Sequence, residues 1–459
     1  RAYLLVDNIL NNYRITGWNY LDNLGSPFLT YTYFLSYLLI STLSIVIPLS
    51  LPTIYKIVVF LSYVLPSFVL YNFLSRKFNS HAGFLISIAF LLQHKIIEHF
   101  FEGLWDQYFA IIFFLLFLNY LDKYSKKLNA RRIGFLSLLL SLTIISHPYA
   151  GLAALYLFFL YWINMVDKGK ALIVPLSSIV SLFFYIAPLI ETGAWTIKGI
   201  GCGLSSTFGE TLTNLIGILL SVQELIPLSL NSILSNIPVI LVDILALAGF
   251  VLYIREKNKN NFLNVIFGFT IISLILGTGF WFNIASLKIT SLSNIVSYRF
   301  IIFARLGLLI FAAYTISKIK LEKEIIAVLY IMLMVISLIY FQPSNEIVET
   351  SENVQELKYY FETMDYLENS LDLSNSRVVF QRTKRDYSIL PLTKSDYFKK
   401  PIIGQWSDPI FPISKSLASS QNIIFNTPIE NITQEQIKKE MGRYNAKYIV
   451  SITPELTQK

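Results

Sequence analysis

A polytopic α-helical membrane protein closed by an extracytoplasmic α/β domain is the fold class this sequence predicts, and three observations carry it. The chain is 54% hydrophobic but only 14% charged, against about 25% charged residues in an ordinary soluble domain, and its mean hydropathy is +0.56. Apolar runs near the ~20 residues needed to cross a bilayer recur along its first three quarters. After Phe341 the composition turns polar and no spanning run remains. The expected divisions are an outer interfacial loop and helix over 1–27, a multi-helix transmembrane domain over 28–341 and a soluble domain over 342–459.

In residues 2–14, Leu5, Val6, Ile9, Leu10 and Tyr13 share one face and Asp7, Asn11 and Arg14 the other, which predicts a helix lying in the interface. A loop follows with Trp18, Tyr20 and Asp22 ahead of Gly25 and Pro27, and its aromatic rings suit the headgroup level. Because the chain begins at Arg1 without methionine, a preceding N-terminal helix is expected. Apolar segments fall at about 28–49, 54–74, 82–97, 107–122, 133–148, 149–166, 171–192, 237–254, 262–282, 298–317 and 325–341, with an interrupted stretch at 211–230. The stretch 211–230 reads as re-entrant or interfacial, and 28–49, helped by Pro48 and Pro52, as a hairpin or a membrane-parallel helix.

The connecting loops sort by charge. Arg76 and Lys77, then Lys123 to Arg132, Lys168 and Lys170, Arg255 to Lys259, and Lys318 to Lys323 form five basic loops. Such loops belong on the cytoplasmic side. The turns at 93–107, near 147–150, 193–236 and 283–297 then face outward. The net charge of +8 is accounted for by this pattern, so the expected partner is the lipid bilayer and not nucleic acid. In the last quarter SRVVFQR and AKYIVSI read as strands, and VQELKYYFETMDYLENSL and EQIKKEMGRYN as helices, a compact α/β module on the outer side. Asn431-Ile-Thr433 is a glycosylation sequon there.

Charge concentrates in the turn QHKIIEHFFEGLWDQ, where His94, Glu98, Glu102 and Asp106 recur every fourth residue and would share one helical face. Glu98, Glu102 and Asp106 could hold a hard divalent cation such as Mg2+ or Mn2+, or one could take a proton from an acceptor hydroxyl; alternatively they mark a solvated helix end. Asp106 has the strongest case, at the mouth of the next apolar segment. Asp7 is expected on the same outer side. His147, before Pro148, is either a cap or a ligand facing the same pocket. Arg299, at the mouth of its segment, can simply snorkel. Arg305 lies two turns deeper, where a guanidinium needs a carboxylate or phosphate: a lipid-linked donor phosphate would serve, as would Asp243 or Glu224. With one cysteine, Cys202, the chain has no internal disulfide and no thiolate metal cluster. No Walker-type glycine loop, zinc spacing or serine nucleophile elbow is present, which argues against ATP-driven transport and serine hydrolysis.

Several pieces together resemble a known class. Asp7 precedes an aromatic loop with Trp18-Asn19 that ends Gly25-Ser26-Pro27; YTYFLSYLL follows; Gly103-Leu-Trp-Asp106 enters a helix; Ser146-His147-Pro148 ends another; and KYIVSI closes the soluble domain. The layout resembles the GT-C superfamily of integral-membrane glycosyltransferases. More narrowly it is similar to the membrane proteins related by name to 6-pyruvoyl-tetrahydropterin synthase, a label that implies no pterin chemistry. The resemblance implies that Asp7 is the first-loop catalytic acid and Asp106 or Glu102 the second. It implies inverting transfer of a sugar from a polyprenyl-phosphate donor to an acceptor on the outer face. Arg305, Arg299, His147 and Trp18 would bind substrate. The Asp-x-Asp or Glu-x-Asp pair of the oligosaccharyltransferase branch is absent; without a metal, Asp7 would be the base and Arg305 would hold the leaving phosphate. The rival expectations are a transporter or lipid-carrier flippase, whose pathway the same residues would line, and a non-catalytic membrane assembly protein.

Overall fold

In the computed structural model the apolar runs become helices whose ends are set by local chemistry. The structure describes 34–92, 105–183, 230–256, 260–278, 297–319 and 430–450 continuously, with short runs or single positions at 5–6, 9–10, 17–19, 26–28, 324–325, 328, 331–332, 335, 366, 377–380, 402–403, 423–425 and 427–428. By its contacts the chain forms two units, residues 1–6, 33–187 and 200–343, and residues 7–32, 188–199 and 344–459.

The first unit is helical. Helix α1 (Phe34–Val46) has 13 residues, about 20 Å of rise, less than the ~30 Å hydrocarbon thickness of a bilayer. Helix α2 (Leu51–Lys77) is capped by the Ser50 hydroxyl, which accepts from the Thr53 N–H, and has Pro52 in its first turn, where the missing N–H matters least. The chain continues through α3 (Ser80–Leu92), α4 (Trp105–Tyr124), α5 (Ala130–Ser146), α6 (Pro148–Trp162), α7 (Lys168–Ser181), α8 (Leu230–Arg255) and α9 (Asn261–Thr278). A single 3-10 turn, Ser297–Phe300, runs into α10 (Ile301–Lys318). Among the described residues, three helices are long and apolar enough to cross a membrane: α2, α9 and α10. Leu5, expected on a membrane surface, is fully buried, whereas Leu10 is half exposed.

The core is aromatic and spans the unit. Phe114 stacks near Phe269 and meets Phe303 edge-on at 5.3 Å, and Phe311 of α10 is buried against Phe250 of α8. Helix α10 is almost wholly buried and forms the central column. It approaches its neighbours closely because Gly307 and Gly249 leave room: a Cβ at Gly307 would lie 2.0 Å from the Thr270 hydroxyl, and one at Gly249 2.5 Å from the Phe311 carbonyl oxygen.

The helix ends also sort. Lys77, at the end of α2, pairs with Asp122 near the end of α4 at 2.8 Å. Tyr161, near the end of α6, donates to the same carboxylate at 3.2 Å, and Lys77 sits 4.0 Å over the ring of Phe262 at the start of α9. Lys318, closing α10, pairs with Glu256 beyond α8 at 3.0 Å. Residues of the predicted basic loops therefore gather at one end of the bundle, while the starts of α4, α6 and α10 come together at the other.

In the second unit β1 (Gly17–Asn19) and β2 (Ser26–Phe28) pair as an antiparallel hairpin. A three-stranded parallel sheet has β3 (Arg377–Phe380) between β4 (Ile402–Ile403) and β7 (Ala446–Val450). β5 (Ile423–Ile424) and β6 (Thr427–Pro428) form a second small hairpin. Helix α11 (Gln434–Arg443) begins on a capping box between Thr433 and Gln436, and Asn445, at φ 53°, turns the chain into β7, a backbone region asparagine tolerates better than most residues. Val379, Ile424, Phe425, Ile432, Ile437 and Tyr444 form its core. The two strands and the shorter helix expected here are present; of the longer helix only Tyr366 lies among the described residues, and it is helical.

Candidate active site

Helix α4 opens with Trp105, Asp106 and Gln107, all buried. Trp105 is held edge-on by Tyr37 of α1 at 5.8 Å and Tyr55 of α2 at 5.5 Å, so two tyrosines from other helices fix where α4 starts. Asp106, 3% exposed, accepts from the Gln107 backbone N–H at 2.8 Å and lies in the first helical turn, where a negative charge is favoured. The Gln107 side chain reaches a residue 192 positions away: its Nε2 donates to the Arg299 carbonyl at 2.8 Å, and its Oε1 accepts from Arg299 Nη1 at 3.4 Å.

The turn between α5 and α6 completes the group. His147 is extended, as suits the residue before a proline, and its backbone N–H donates to the Thr143 carbonyl. Its ring makes no capping hydrogen bond; it is fully buried, lies 5.5 Å from the Tyr149 ring, and feels the Arg299 charge. Tyr149 meets Phe300 edge-on at 5.5 Å. Residues 105–107, 147–149 and 299–300, remote in sequence, are thus joined at one end of the bundle. A buried carboxylate and a half-buried guanidinium connected through one glutamine can serve acid–base chemistry and hold an anion.

Arg305 lies elsewhere. It lies six residues after Arg299, in the second turn of α10 and roughly 9 Å farther along the axis, where its Nη1 is 2.5 Å from Asp243 Oδ1 with both side chains buried. Of the partners left open by the sequence, it meets Asp243; Glu224 lies outside the described residues. Asp243 Oδ2 is buried and has no hydrogen-bond partner among the described residues. Asp7, Glu98 and Glu102 lie outside the described residues; Trp18 lies in β1, its side chain undescribed. Among the described residues no three His, Cys, Asp or Glu side chains converge to hold a metal; of the proposed carboxylate set only Asp106 is described. Gln107, Tyr149 and Phe300 were missed: a glutamine and two aromatic residues in an aromatic-rich chain carry no pattern marking them out.

Comparison with known proteins gives the class. Residues 31–348 match the model of the 6-pyruvoyl-tetrahydropterin synthase related domain, described as a membrane protein. The chain belongs to this family of membrane proteins, the one its motifs resemble. No curated protein matches it. Among solved structures it is similar to the crystal structure of the Archaeoglobus fulgidus oligosaccharyltransferase in complex with Zn and sulfate, at 13% identity and a TM-score of 0.45. That likeness covers 98% of this chain, which spans 63% of the length of the other.

Proposed function

We propose that this protein is a multi-pass membrane glycosyltransferase of GT-C type that moves a sugar from a polyprenyl-phosphate donor to an acceptor on the outer face, where its C-terminal domain also lies. The observation that carries the proposal is the joining of buried Asp106 to Arg299 through Gln107 at the bundle end opposite the basic loops. A carboxylate, Asp106, Asp7 or Glu102, removes the acceptor hydroxyl proton. The oxygen attacks the anomeric carbon from the face opposite the phosphate, the glycosidic bond forms, and the carbon–oxygen bond to phosphate breaks with inversion. Arg299 neutralises the charge left on the polyprenyl phosphate. His147 and Trp18 contribute to substrate binding, and Arg305, engaged by Asp243, steadies α10, into which the turn bearing Arg299 runs. Mg2+ or Mn2+, if used, would be held by Glu98, Glu102 and Asp106 and would share in neutralising that phosphate, so EDTA would reduce transfer.

The test uses membranes containing the full chain, a radiolabelled polyprenyl-phosphate sugar and a cell-envelope acceptor extract. Label should move into acceptor in a form resistant to lipid extraction, and Asp7→Ala and Asp106→Ala should each abolish this without loss of membrane insertion. Retained transfer in both variants overturns the proposal. Label crossing sealed vesicles with no glycosidic bond formed would identify a lipid-carrier flippase instead.

A further inference from the structure

Beyond the acids and arginines already assigned, the bundle end holds a neutral side chain with an unusual pair of bonds. Gln107 is 3% exposed, and its amide is spent on a single distant residue: Nε2 on the Arg299 carbonyl, Oε1 on the Arg299 guanidinium. The first bond fixes the backbone of the 3-10 turn Ser297–Phe300 against the start of α4, and the second restrains the direction of the guanidinium. Phe300 adds a second hold on the same turn through its contact with Tyr149. A long arginine side chain at the mouth of a helix ordinarily samples many rotamers, and ordering it has an entropic cost that must be met on binding. A buried amide that holds both its root and its tip meets that cost in the folded protein.

We infer that Gln107 is a positioning residue that pre-orients Arg299 to receive a phosphate monoester or diester anion, the lipid-linked donor phosphate in the reading above. The inference rests on Arg299 being an anion-binding residue of that site. A neutral amide suits this role better than a carboxylate. Glutamate here would strengthen the contact to Nη1 but would offset the positive charge that the phosphate must meet, and would lose the donor to the Arg299 carbonyl.

The test measures binding of polyprenyl phosphate and inorganic phosphate to the full-length protein in nanodiscs, by ligand-induced thermal shift and titration, together with KM and kcat for donor. Variants are Gln107→Met, which keeps the volume and removes both bonds, Gln107→Glu, Arg299→Lys and the double variant Gln107→Met/Arg299→Lys. Gln107→Met should weaken polyprenyl phosphate binding about tenfold, raise KM for donor with it, and leave the unliganded melting temperature close to that of the parent. Gln107→Glu should weaken binding at least as much although it retains the acceptor. The double variant should bind no worse than Arg299→Lys alone, because Gln107 acts through Arg299. Additive losses, or full affinity in Gln107→Met, overturn the inference. Full affinity in Arg299→Lys overturns instead the assignment of Arg299 as the phosphate ligand. Equal loss for inorganic and polyprenyl phosphate would place recognition in the phosphate alone; loss confined to polyprenyl phosphate would place it in the lipid-linked form.

Discussion

The two ends of the helical bundle handle buried polarity in different ways. At the end gathering the basic loops, Lys77 meets Asp122 directly at 2.8 Å, Tyr161 adds a hydrogen bond, and Phe262 receives the ammonium on its face. Lys318 and Glu256 repeat the direct pairing at the rim. At the opposite end Asp106 and Arg299 are linked through neutral Gln107, its backbone serving the acid and its side chain the arginine. A direct ion pair satisfies two charges and leaves little for a ligand to gain. A neutral amide that bonds to such groups adds no charge of its own to the field a substrate meets. One end is built as a fastening and the other, in our proposal, as a site.

The fastenings should account for most of the stability lost on mutation. The largest effect is expected between the ends, at Arg305–Asp243. Asp243→Ala would leave a guanidinium buried without its 2.5 Å partner and should destabilise the bundle by about 3–5 kcal/mol, read as a fall in melting temperature in detergent or as loss of folded protein. Next, Gly307→Ala would drive a Cβ against Thr270 and should cost about 1–3 kcal/mol by overpacking, with fluorescence size-exclusion reporting a less monodisperse protein. Asp122→Asn keeps the shape but removes the charge facing Lys77. Both side chains are about one-fifth exposed, so solvent screening limits the loss to about 1 kcal/mol, and transfer activity should survive. Lys318→Ala should be smallest, below about 0.5 kcal/mol, because this pair is largely solvated. The Lys318 hydrogen bond holds the Glu256 carboxyl below its ordinary range. Its small contribution is therefore present above that range and fades on acidification as the carboxylate protonates, in the direction a depressed pKa requires.

The apolar periodicity made the helices legible because hydrophobic runs and their polar punctuation are local signals. The predicted 54–74 is Leu51–Lys77, lengthened at one end by the Ser50 cap and at the other by the basic pair that closes it. The predicted 133–148 and 149–166 are Ala130–Ser146 and Pro148–Trp162, divided at His147 because Pro148 cannot donate to the preceding turn. The site was legible only where chemistry is rare in the chain. Asp106, His147, Arg299 and Arg305 stand out as ionisable groups beside apolar runs, whereas Gln107 takes its meaning from a residue 192 positions away. That Arg305 meets Asp243 depends on how α8 and α10 pack, which no spacing along the chain encodes.

The sharpest contrast between the ends is one experiment on two aspartates. Asp106→Asn and Asp122→Asn both remove a charge and keep the side-chain shape, one at each end of the bundle. Donor-to-acceptor transfer should be measured for both, with the melting temperature of each. The proposed division predicts that Asp106→Asn stays folded and loses about a hundredfold or more in transfer, while Asp122→Asn melts lower and transfers at close to the parental rate. Parental transfer by Asp106→Asn, or equal losses of transfer in the two variants, would contradict it.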